Sequence, residues 1–306
     1  MRVIAEHGRD DLAKVYVAEL KDGSRIEFVE SLQPPRPRAE KWVNIISTLA
    51  GCPMECAMCD AGGGYRRPLT EEEMRAQVEH LARARFDGGK PETKKWKLQL
   101  ARMGEPALNP SVVGFLDGLG SEGHGNLTVS VSTIAPSGSA RFLDDLKIVK
   151  DRHFRGRFQL QFSIHSTDES ARRALMPAGA LSLEEIAAQG RSFRSEGDKK
   201  VTLNFMAIKG VPIDAAAVAK AFGADDFLVK ITPLNPTRRA QWSGLEPGFD
   251  AERPETASAL VASFERLGFE TILSIGALDE NRIGSNCGQY AAEASAPQPR
   301  EKDWVL

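Results

Sequence analysis

The strongest constraint on the fold is a regular alternation of strand-like and helix-like segments from residue 42 to residue 276. Short apolar runs predict strands, and longer segments with helical spacing separate them. The predicted strands are WVNIIS (42–47), KWKLQLARM (95–103), LTVSVSTI (127–134), FQLQFSIH (158–165), VTLNFMAI (201–208), DFLVKITPL (226–234) and FETILSIG (269–276). This alternation is typical of a parallel sheet. It predicts an α/β fold, a partial (β/α)6 TIM-type barrel over residues 41–275.

Two regions flank the predicted barrel. Residues 1–40 are expected to form an N-terminal β-hairpin extension and a linker, because strand-like segments flank an Asp22-Gly23 turn signal. Residues 276–306 are expected to form a C-terminal loop and tail that carries Cys287. Barrel enzymes place their chemistry at the C-terminal ends of the strands, so we expect the functional site there.

Composition restricts the class of protein. The chain is 42% hydrophobic and 27% charged, and it has neither a bilayer-length apolar window nor an apolar signal-peptide core. These features predict a cytoplasmic protein without a membrane partner. The net charge of −2 gives no global electrostatic argument for nucleic acid. The basic segments 94–97, 152–157 and 199–200 precede strands and should lie at the barrel end opposite the site. By contrast, six arginines follow strands and should lie on the site side: Arg66, Arg67, Arg172, Arg173, Arg238 and Arg239.

Three of the four cysteines lie within eight residues. Cys52, Cys56 and Cys59 form a C-x3-C-x2-C pattern between a predicted strand and a predicted helix. Closely spaced thiolates are typical ligands of iron–sulfur clusters, and three ligands would leave one iron of a cubane open. The alternative is a structural zinc site with Cys287 as the fourth ligand, although a second cysteine pair is missing.

At this point the sequence resembles the radical S-adenosylmethionine (SAM) enzymes, which carry C-x3-C-x2-C after the first barrel strand. The resemblance implies a [4Fe–4S] cluster on Cys52, Cys56 and Cys59. It also implies that SAM binds the open iron and is cleaved to a 5′-deoxyadenosyl radical. Met58 takes the place of the aromatic residue that often precedes the third cysteine, and it can still pack beside the adenine. An electron donor such as flavodoxin or ferredoxin is implied as a partner.

Further motifs sharpen the resemblance. RMGEP (102–106), VSTIAPSG (131–138), FSIHS (162–166), ITPLNP (231–236) and NCGQY (286–290) occur in this order and are similar to the RlmN/Cfr family. That family methylates ribosomal RNA adenine. The positions that match the family's SAM contacts are Gly104, Glu105, Ser132, Ser163, Ile164, His165 and Asn235.

The same resemblance assigns two catalytic residues. Cys287 matches the family cysteine that first accepts a methyl group from one SAM and then delivers the carbon unit to an sp2 carbon. Glu27 aligns with a glutamate placed near the target base, where it could transfer a proton. Without the resemblance, Cys287 is a buried inert cysteine and Glu27 is a solvated residue of an edge strand.

Three departures from the family pattern are visible. Ile45 stands where the family has a second cysteine that resolves the covalent adduct, so an internal disulfide cannot release the product. The helical domain that precedes the hairpin in the family is expected to be missing. LDENRIG (278–284) replaces an Arg-Gly-Asp-like run before Cys287.

The sequence therefore predicts a radical SAM enzyme, derived from the RlmN/Cfr-like methyl synthases, that methylates an sp2 carbon through Cys287. The substrate is an RNA adenine or a nucleoside-like or heterocyclic small molecule, with a slight preference for the smaller one. Two alternatives stay open. In one, a non-methylating radical SAM enzyme uses Cys287 as a hydrogen-atom donor or thiyl radical. In the other, the chain is a zinc or iron–sulfur RNA-binding module.

Overall fold

The computed structural model describes residues 1–285 and 290–291. Its strands, in chain order, are β1 (Arg2–Arg9), β2 (Ala13–Glu19), β3 (Arg25–Ser31), β4 (Lys41–Ile46), β5 (Leu49–Cys52), β6 (Gly63–Pro68), β7 (Lys95–Leu100), β8 (Leu127–Thr133), β9 (Phe158–Ser163), β10 (Val201–Ala207), β11 (Phe227–Pro233) and β12 (Thr271–Leu273). Its α-helices are α1 (Glu71–Arg85), α2 (Ser111–Ser121), α3 (Ala140–His153), α4 (Glu169–Leu175), α5 (Leu183–Phe193), α6 (Ala215–Ala221), α7 (Arg238–Trp242), α8 (Ser258–Glu265) and α9 (Asp279–Ile283). Short 3-10 helices cover Asp87–Gly89, Pro106–Leu108 and Pro254–Ala257.

One large sheet organises the chain. Its order is β1-β2-β3-β4-β7-β8-β9-β10-β11-β12, and every pair from β4 to β12 is parallel. The first three strands join it antiparallel, so the predicted hairpin β2–β3 continues directly into the parallel part. The predicted α/β class and all seven predicted parallel strands are confirmed. Within the described residues no pairing joins β12 to the first strands, which agrees with a partial barrel. The division into three segments at residues 40 and 275 stays a proposal.

Helices cover the outer face of the sheet. Gly190 of α5 lies so close to the sheet that an added Cβ would be 2.5 Å from the Phe227 ring and 3.3 Å from the Phe162 ring. Phe162 and Phe227 therefore face the helices, and the alternate residues of these strands face the interior of the barrel. Interior polar side chains bond across neighbouring strands, with Gln161 Nε2 donating to Ser132 Oγ at 3.2 Å.

Helix α1 shows how local sequence sets the first crossover. The Thr70 side chain accepts the Glu73 backbone N–H, and the Glu73 side chain accepts the Thr70 backbone N–H. These two hydrogen bonds form the predicted capping box at the N-terminus of the helix. The buried side is Met74, Gln77, Val78 and Leu81. Gln77 is polar but satisfied, because its amide bonds both the backbone N–H and the carbonyl of Ser47. This contact fixes the chain just before the cysteine loop.

None of the helices in the described part of the chain is long and apolar enough to cross a membrane. Three strands and two helices were not anticipated from the sequence. Strand β1 extends the hairpin, and β5 and β6 form a separate two-stranded sheet around the cysteine loop. The short helices α7 and α9 follow β11 and β12.

Candidate active site

The cysteine loop is closed at its base by the small β5–β6 sheet. Cys52 is the last residue of β5 and pairs with Gly63 of β6. Gly51, with φ of +76°, approaches Gly64 so closely that an added Cβ would lie 2.5 Å from the Gly64 carbonyl oxygen. A side chain at residue 51 would therefore force the two strands apart. This closure holds the loop against the C-terminal end of the barrel.

The three thiols share one partly buried environment. Cys52 is buried, Cys56 and Cys59 are half-buried, and none of the three is in a disulfide. Burial strongly raises the pKa of the Cys56 thiol, and the neighbouring Cys59 and Cys52 raise it further. Three mutually repelling thiolates require a positively charged partner, so this donor set fits an iron–sulfur cluster.

A single metal ion fits this region less well. Among residues 1–285 and 290–291, no three His, Cys, Asp or Glu side chains are grouped closely enough to hold one ion. Sulfur ligands of a cubane lie farther apart than those of a lone zinc ion, because separate irons bind them. The arrangement of the described cysteines is therefore in better agreement with the cluster than with structural zinc.

Gly104 and Glu105 lie beside this loop, just beyond β7. The Glu105 carboxylate is buried and accepts hydrogen bonds from Thr133 Oγ1 at 2.5 Å and from the Ile134 N–H at 3.0 Å. Burial raises its pKa, and no lysine or arginine of the described residues pairs with it. The Glu105 charge also raises the pKa of Cys52, although burial is the larger cause, so the two residues are neighbours. A buried carboxylate without a cation is a suitable partner for an ammonium group.

Gly104 has its own steric requirement. Its φ is +97°, and an added Cβ would lie 2.4 Å from the Leu49 Cβ. Only glycine fits this contact between the end of β7 and the start of β5.

The predicted SAM-contacting residues at the end of β9 lie next to β10, and two of them form hydrogen bonds with it. His165 has φ of +63°, and its Nδ1 accepts the Met206 N–H at 3.2 Å. The ring proton is therefore assigned to Nε2. Burial, assisted by Arg172, lowers the pKa of His165 to about 4, so the ring is neutral at physiological pH. The Ile164 and His165 amides both donate to the Asn204 carbonyl. Ser163 is half-buried at the end of the same strand.

Asn204 is a candidate site residue that the sequence reasoning missed. It lies in β10 between Ser163 and Lys230 in the register, and its buried Oδ1 has no hydrogen-bond partner among the described residues. An orphaned buried amide oxygen suggests a missing donor, such as a ligand hydroxyl or amine. The available signal was a lone asparagine in the otherwise apolar run VTLNFMAI.

The loop after β11 covers the cysteine loop. Thr237 Oγ1 donates to the Met58 carbonyl at 2.9 Å, and the Asp60 carboxylate accepts the Arg238 and Arg239 N–H groups. The buried Met58 and the half-buried Asn235 are thereby brought to one side of the loop. Arg239 Nη1 is buried without a hydrogen-bond partner in the described part of the chain, and a Cβ at Gly62 would lie 1.9 Å from it. The sequence placed Arg239 on the site side, and the structure puts it against the cysteine loop.

Some of the other arginines on the site side form ion pairs with carboxylates, and others do not. Arg67 pairs with Glu73 and Asp22, and Arg172 pairs with Glu169. Arg66 and Arg173 make no carboxylate pair within the part of the chain described.

Glu27 and Arg102 form a buried pair that holds the C-terminal segment. Glu27 Oε1 accepts the Ala291 N–H at 2.5 Å, and Arg102 donates to the Gly284 and Ser285 carbonyls at 2.9 and 3.0 Å. Cys287 itself lies outside the described residues. Proton transfer by Glu27 stays a prediction, and it requires one of these contacts to open.

The chain is similar over most of its length to proteins named as RNA methyltransferases. No family model matches the chain. It is 28% identical over 288 residues to the probable dual-specificity RNA methyltransferase RlmN of Deinococcus deserti, covering 90% of this chain and 76% of the relative. It is 29% identical over 250 residues to the ribosomal RNA large subunit methyltransferase N of Nitrosopumilus maritimus, covering 77% and 66%. The chain is therefore similar in sequence, over most of its length, to proteins named RlmN.

A solved structure supports the fold of the chain. A radical SAM methyltransferase from Sphaerobacter thermophilus superposes with a TM-score of 0.74 and 24% identity, covering 94% of this chain and 80% of the other. The sequence relatives are named as RNA methyltransferases, and the solved structure is named as a radical SAM methyltransferase. The predicted family resemblance, enzyme class and cofactors are thus confirmed. The individual site residues stay predictions.

Proposed function

We propose that this chain is a radical SAM methyl synthase that uses Cys287 to deliver a one-carbon unit to an sp2 carbon of an adenine in RNA. The observation that carries the proposal is the juxtaposition of Glu105 with the thiols of the cysteine loop at the C-terminal end of the barrel. The names of the RlmN relatives support methyl transfer and an RNA substrate.

The cysteine loop and the strand ends have separate tasks in this proposal. Cys52, Cys56 and Cys59 would hold a [4Fe–4S] cluster, and Glu105 would bind the SAM ammonium. Ser132, Ser163, His165 and Asn235 would hold the remaining polar groups of SAM, with Ile164 and Met58 as apolar contacts. When bound, the cluster and SAM supply a 5′-deoxyadenosyl radical after one electron arrives from a donor such as flavodoxin or ferredoxin.

The surrounding residues orient and enclose the reactants. His165 is neutral, so it offers an Nε2–H donor without adding charge beside SAM. The Glu27–Arg102 pair bonds Ser285 and Ala291, which precede and follow Cys287 in the sequence. Because Ile45 replaces the resolving cysteine, we propose that an external thiolate attacks the Cys287 sulfur of the adduct. The bond from that sulfur to the transferred carbon would break, the product would leave with the bonding electrons, and a mixed disulfide on Cys287 would be reduced by a second external thiol.

The decisive experiment measures methyl carriage and SAM cleavage in one sample. The anaerobically reconstituted enzyme is incubated with methyl-labelled SAM, an RNA containing adenine, a reductant and a thiol. We expect label on Cys287 by mass spectrometry of peptides, 5′-deoxyadenosine, and labelled methyladenine after RNA digestion. Cys287→Ala should retain iron and sulfide but lose the labelled base, whereas Cys52→Ala should lose the cluster. An unlabelled Cys287 in a sample that forms 5′-deoxyadenosine would overturn the methyl-carrier role.

A nucleoside-like small molecule is the second candidate substrate. Arg67 and Arg172 are already paired with carboxylates, which reduces the cationic surface available to a polyanion on the site side. Adenosine and short oligonucleotides assayed beside the RNA separate the candidates. Methylation of adenosine without methylation of RNA would favour the small substrate.

A further inference from the structure

Asn204 lies on the interior face of the barrel, level with one of the predicted SAM contacts. Its register partner on β9 is Ser163. Phe162 faces the helices and side chains alternate along a strand, so Ser163 and its partner Asn204 face the interior. The Asn204 carbonyl accepts the N–H groups of Ile164 and His165 at 2.9 and 3.3 Å. Two predicted SAM-contacting residues therefore fix the backbone that carries this side chain.

The side-chain amide oxygen of Asn204 is a buried acceptor. The residue is 6% exposed, and its Oδ1 has no hydrogen-bond partner in the described part of the chain. The other unpaired buried side-chain atoms of the described residues are nitrogens or hydroxyl oxygens. A hydroxyl can turn its proton towards an acceptor, whereas an amide oxygen can only accept. Because an unpaired acceptor in a protein interior is costly, a proton donor from a ligand would stabilise this position.

Two other amides in comparable surroundings are paired. In the barrel interior, Gln161 Nε2 donates to Ser132 Oγ at 3.2 Å. Under α1, the buried amide of Gln77 uses both its oxygen and its nitrogen on the backbone of Ser47. The fold thus supplies local partners to these amides, and the unpaired oxygen of Asn204 is suited to a ligand that arrives from outside the chain.

The order of the strands places Asn204 between the two ends of the expected SAM position. That order is β7-β8-β9-β10-β11. Glu105, after β7, is the proposed partner of the SAM ammonium. Met58, whose carbonyl accepts a hydrogen bond from the loop after β11, is the proposed contact of the adenine. Neighbouring strands are about 4.8 Å apart, so Asn204 on β10 lies roughly 14 Å from β7 along the sheet. The part of SAM between its amino-acid end and its adenine is the ribose, whose hydroxyls can donate.

We propose that Asn204 Oδ1 accepts a hydrogen bond from a ribose hydroxyl of SAM. This assignment rests on the proposed function, because it requires SAM to bind at the strand ends. Since the oxygen stays unpaired until SAM arrives, Asn204 lowers the stability of the SAM-free protein and raises its affinity for SAM. An asparagine retained for structure alone would instead raise the stability of the SAM-free protein.

The first test measures SAM affinity and stability on the same anaerobically reconstituted protein. Asn204→Leu keeps a side chain of similar size and removes the acceptor. We expect its dissociation constant for SAM, measured by calorimetry, to rise about five- to tenfold. In urea without SAM, we expect its unfolding midpoint to equal or exceed that of the unsubstituted protein.

The matched control is Asn126→Leu, at the opposite end of the barrel. The Asn126 amide donates to the Pro91 and Thr93 carbonyls at 3.3 and 2.8 Å, so its loss should lower the midpoint and leave the SAM affinity unchanged. Equal SAM affinity in Asn204→Leu and the unsubstituted protein, or a midpoint that falls as far as in the control, would overturn the assignment. Absence of SAM binding by the unsubstituted protein would overturn the proposed function together with the assignment, whereas equal affinities overturn the assignment alone.

A second measurement identifies the group of SAM that Asn204 contacts. The 2′-deoxy and 3′-deoxy analogues of SAM are titrated into the unsubstituted protein and into Asn204→Leu. We expect one analogue to bind the unsubstituted protein about five- to tenfold more weakly than SAM, and to bind the variant about as tightly as SAM does. The same loss in both proteins, or no loss with either analogue, would rule out the ribose contact. Unchanged SAM affinity in the variant with weaker binding of an adenine-containing RNA would replace it with a substrate contact.

Discussion

Arg102 holds Glu27 through two hydrogen bonds to the same oxygen, Oε2, at 3.1 Å from Nε and 2.5 Å from Nη2. Both side chains are buried, with 1% and 0% of their side-chain surface exposed. The pair joins β3 to the residue that precedes the Met103-Gly104-Glu105 turn, and its remaining bonds reach Gly284, Ser285 and Ala291. One ionic contact thus ties the hairpin, the predicted SAM-binding turn and the C-terminal segment together.

Removing one member of this pair should be strongly destabilising. Arg102→Met leaves the Glu27 carboxylate buried without its cation, and loss of one partner of a buried pair costs about 3–5 kcal/mol. The double variant Glu27→Leu/Arg102→Met should lose less than the sum of the single variants, because no uncompensated charge remains. The free energies of unfolding are measured in urea.

A surface pair provides the control for this prediction. Arg83→Met removes an exposed partner of Glu79 on α1, and it should change stability by less than about 1 kcal/mol. A comparable small change for Arg102→Met would show that the buried pair contributes little.

Gly104→Ala should impair SAM binding while leaving the cluster in place. The φ of +97° and the contact with Leu49 make any side chain at residue 104 costly, by about 1–3 kcal/mol from the backbone strain alone. We expect the dissociation constant for SAM to rise at least about tenfold, with iron and sulfide content unchanged. The control is Gly123→Ala, which also has positive φ but has open space around a Cβ. Equal SAM affinity in both variants would refute the steric argument.

Thr237→Val should loosen the cover of the cysteine loop. The Thr237 hydroxyl caps α7 and donates to the Met58 carbonyl, so its loss should cost about 1 kcal/mol and expose the loop. We expect a chelator to remove iron from the reconstituted variant several times faster than from the unsubstituted protein. Thr256→Val serves as the control, because Thr256 makes a similar pair of backbone bonds, to Arg253 and Asp250, in a separate loop. Identical rates in the two variants would count against a role for this cover.

The parallel strands could be predicted because each is a short apolar run with a clear boundary. The capping box at Thr70 could also be predicted, because Thr70 and Glu73 lie within four residues of each other in the sequence. Strands β5 and β6 were missed for the opposite reason. Their sequences, LAGC and GGYRRP, lack an apolar period, and their pairing depends on glycines that let two backbones approach.

Whether a residue precedes or follows a strand in the sequence predicts the end of the barrel at which it lies. That reasoning placed Arg239 on the site side of the barrel and the segment 94–97 at the opposite end. It could not reveal that Glu27 and Arg102 meet, because 75 residues separate them and each alone reads as a surface residue. It also could not show that Trp96 packs on Trp42, since alternation defines two faces of a strand but not which one is covered.

His165 should remain neutral well into the acid range and make the SAM-free protein sensitive to acid. Its pKa is lowered to about 4 in the folded state, from an ordinary value of 6.5. Between these values the unfolded chain binds the proton and the folded chain does not, so stability falls as the pH drops from about 6.5 to about 4. The full effect is about 3 kcal/mol, because a tenfold change in proton affinity corresponds to about 1.4 kcal/mol. We expect His165→Asn, which tolerates positive φ, to lose less stability between pH 7 and pH 5 than the unsubstituted protein. Carbon-13 histidine spectra of the two proteins identify the His165 signal, and a titration midpoint near pH 6.5 for that signal would contradict the buried, neutral ring.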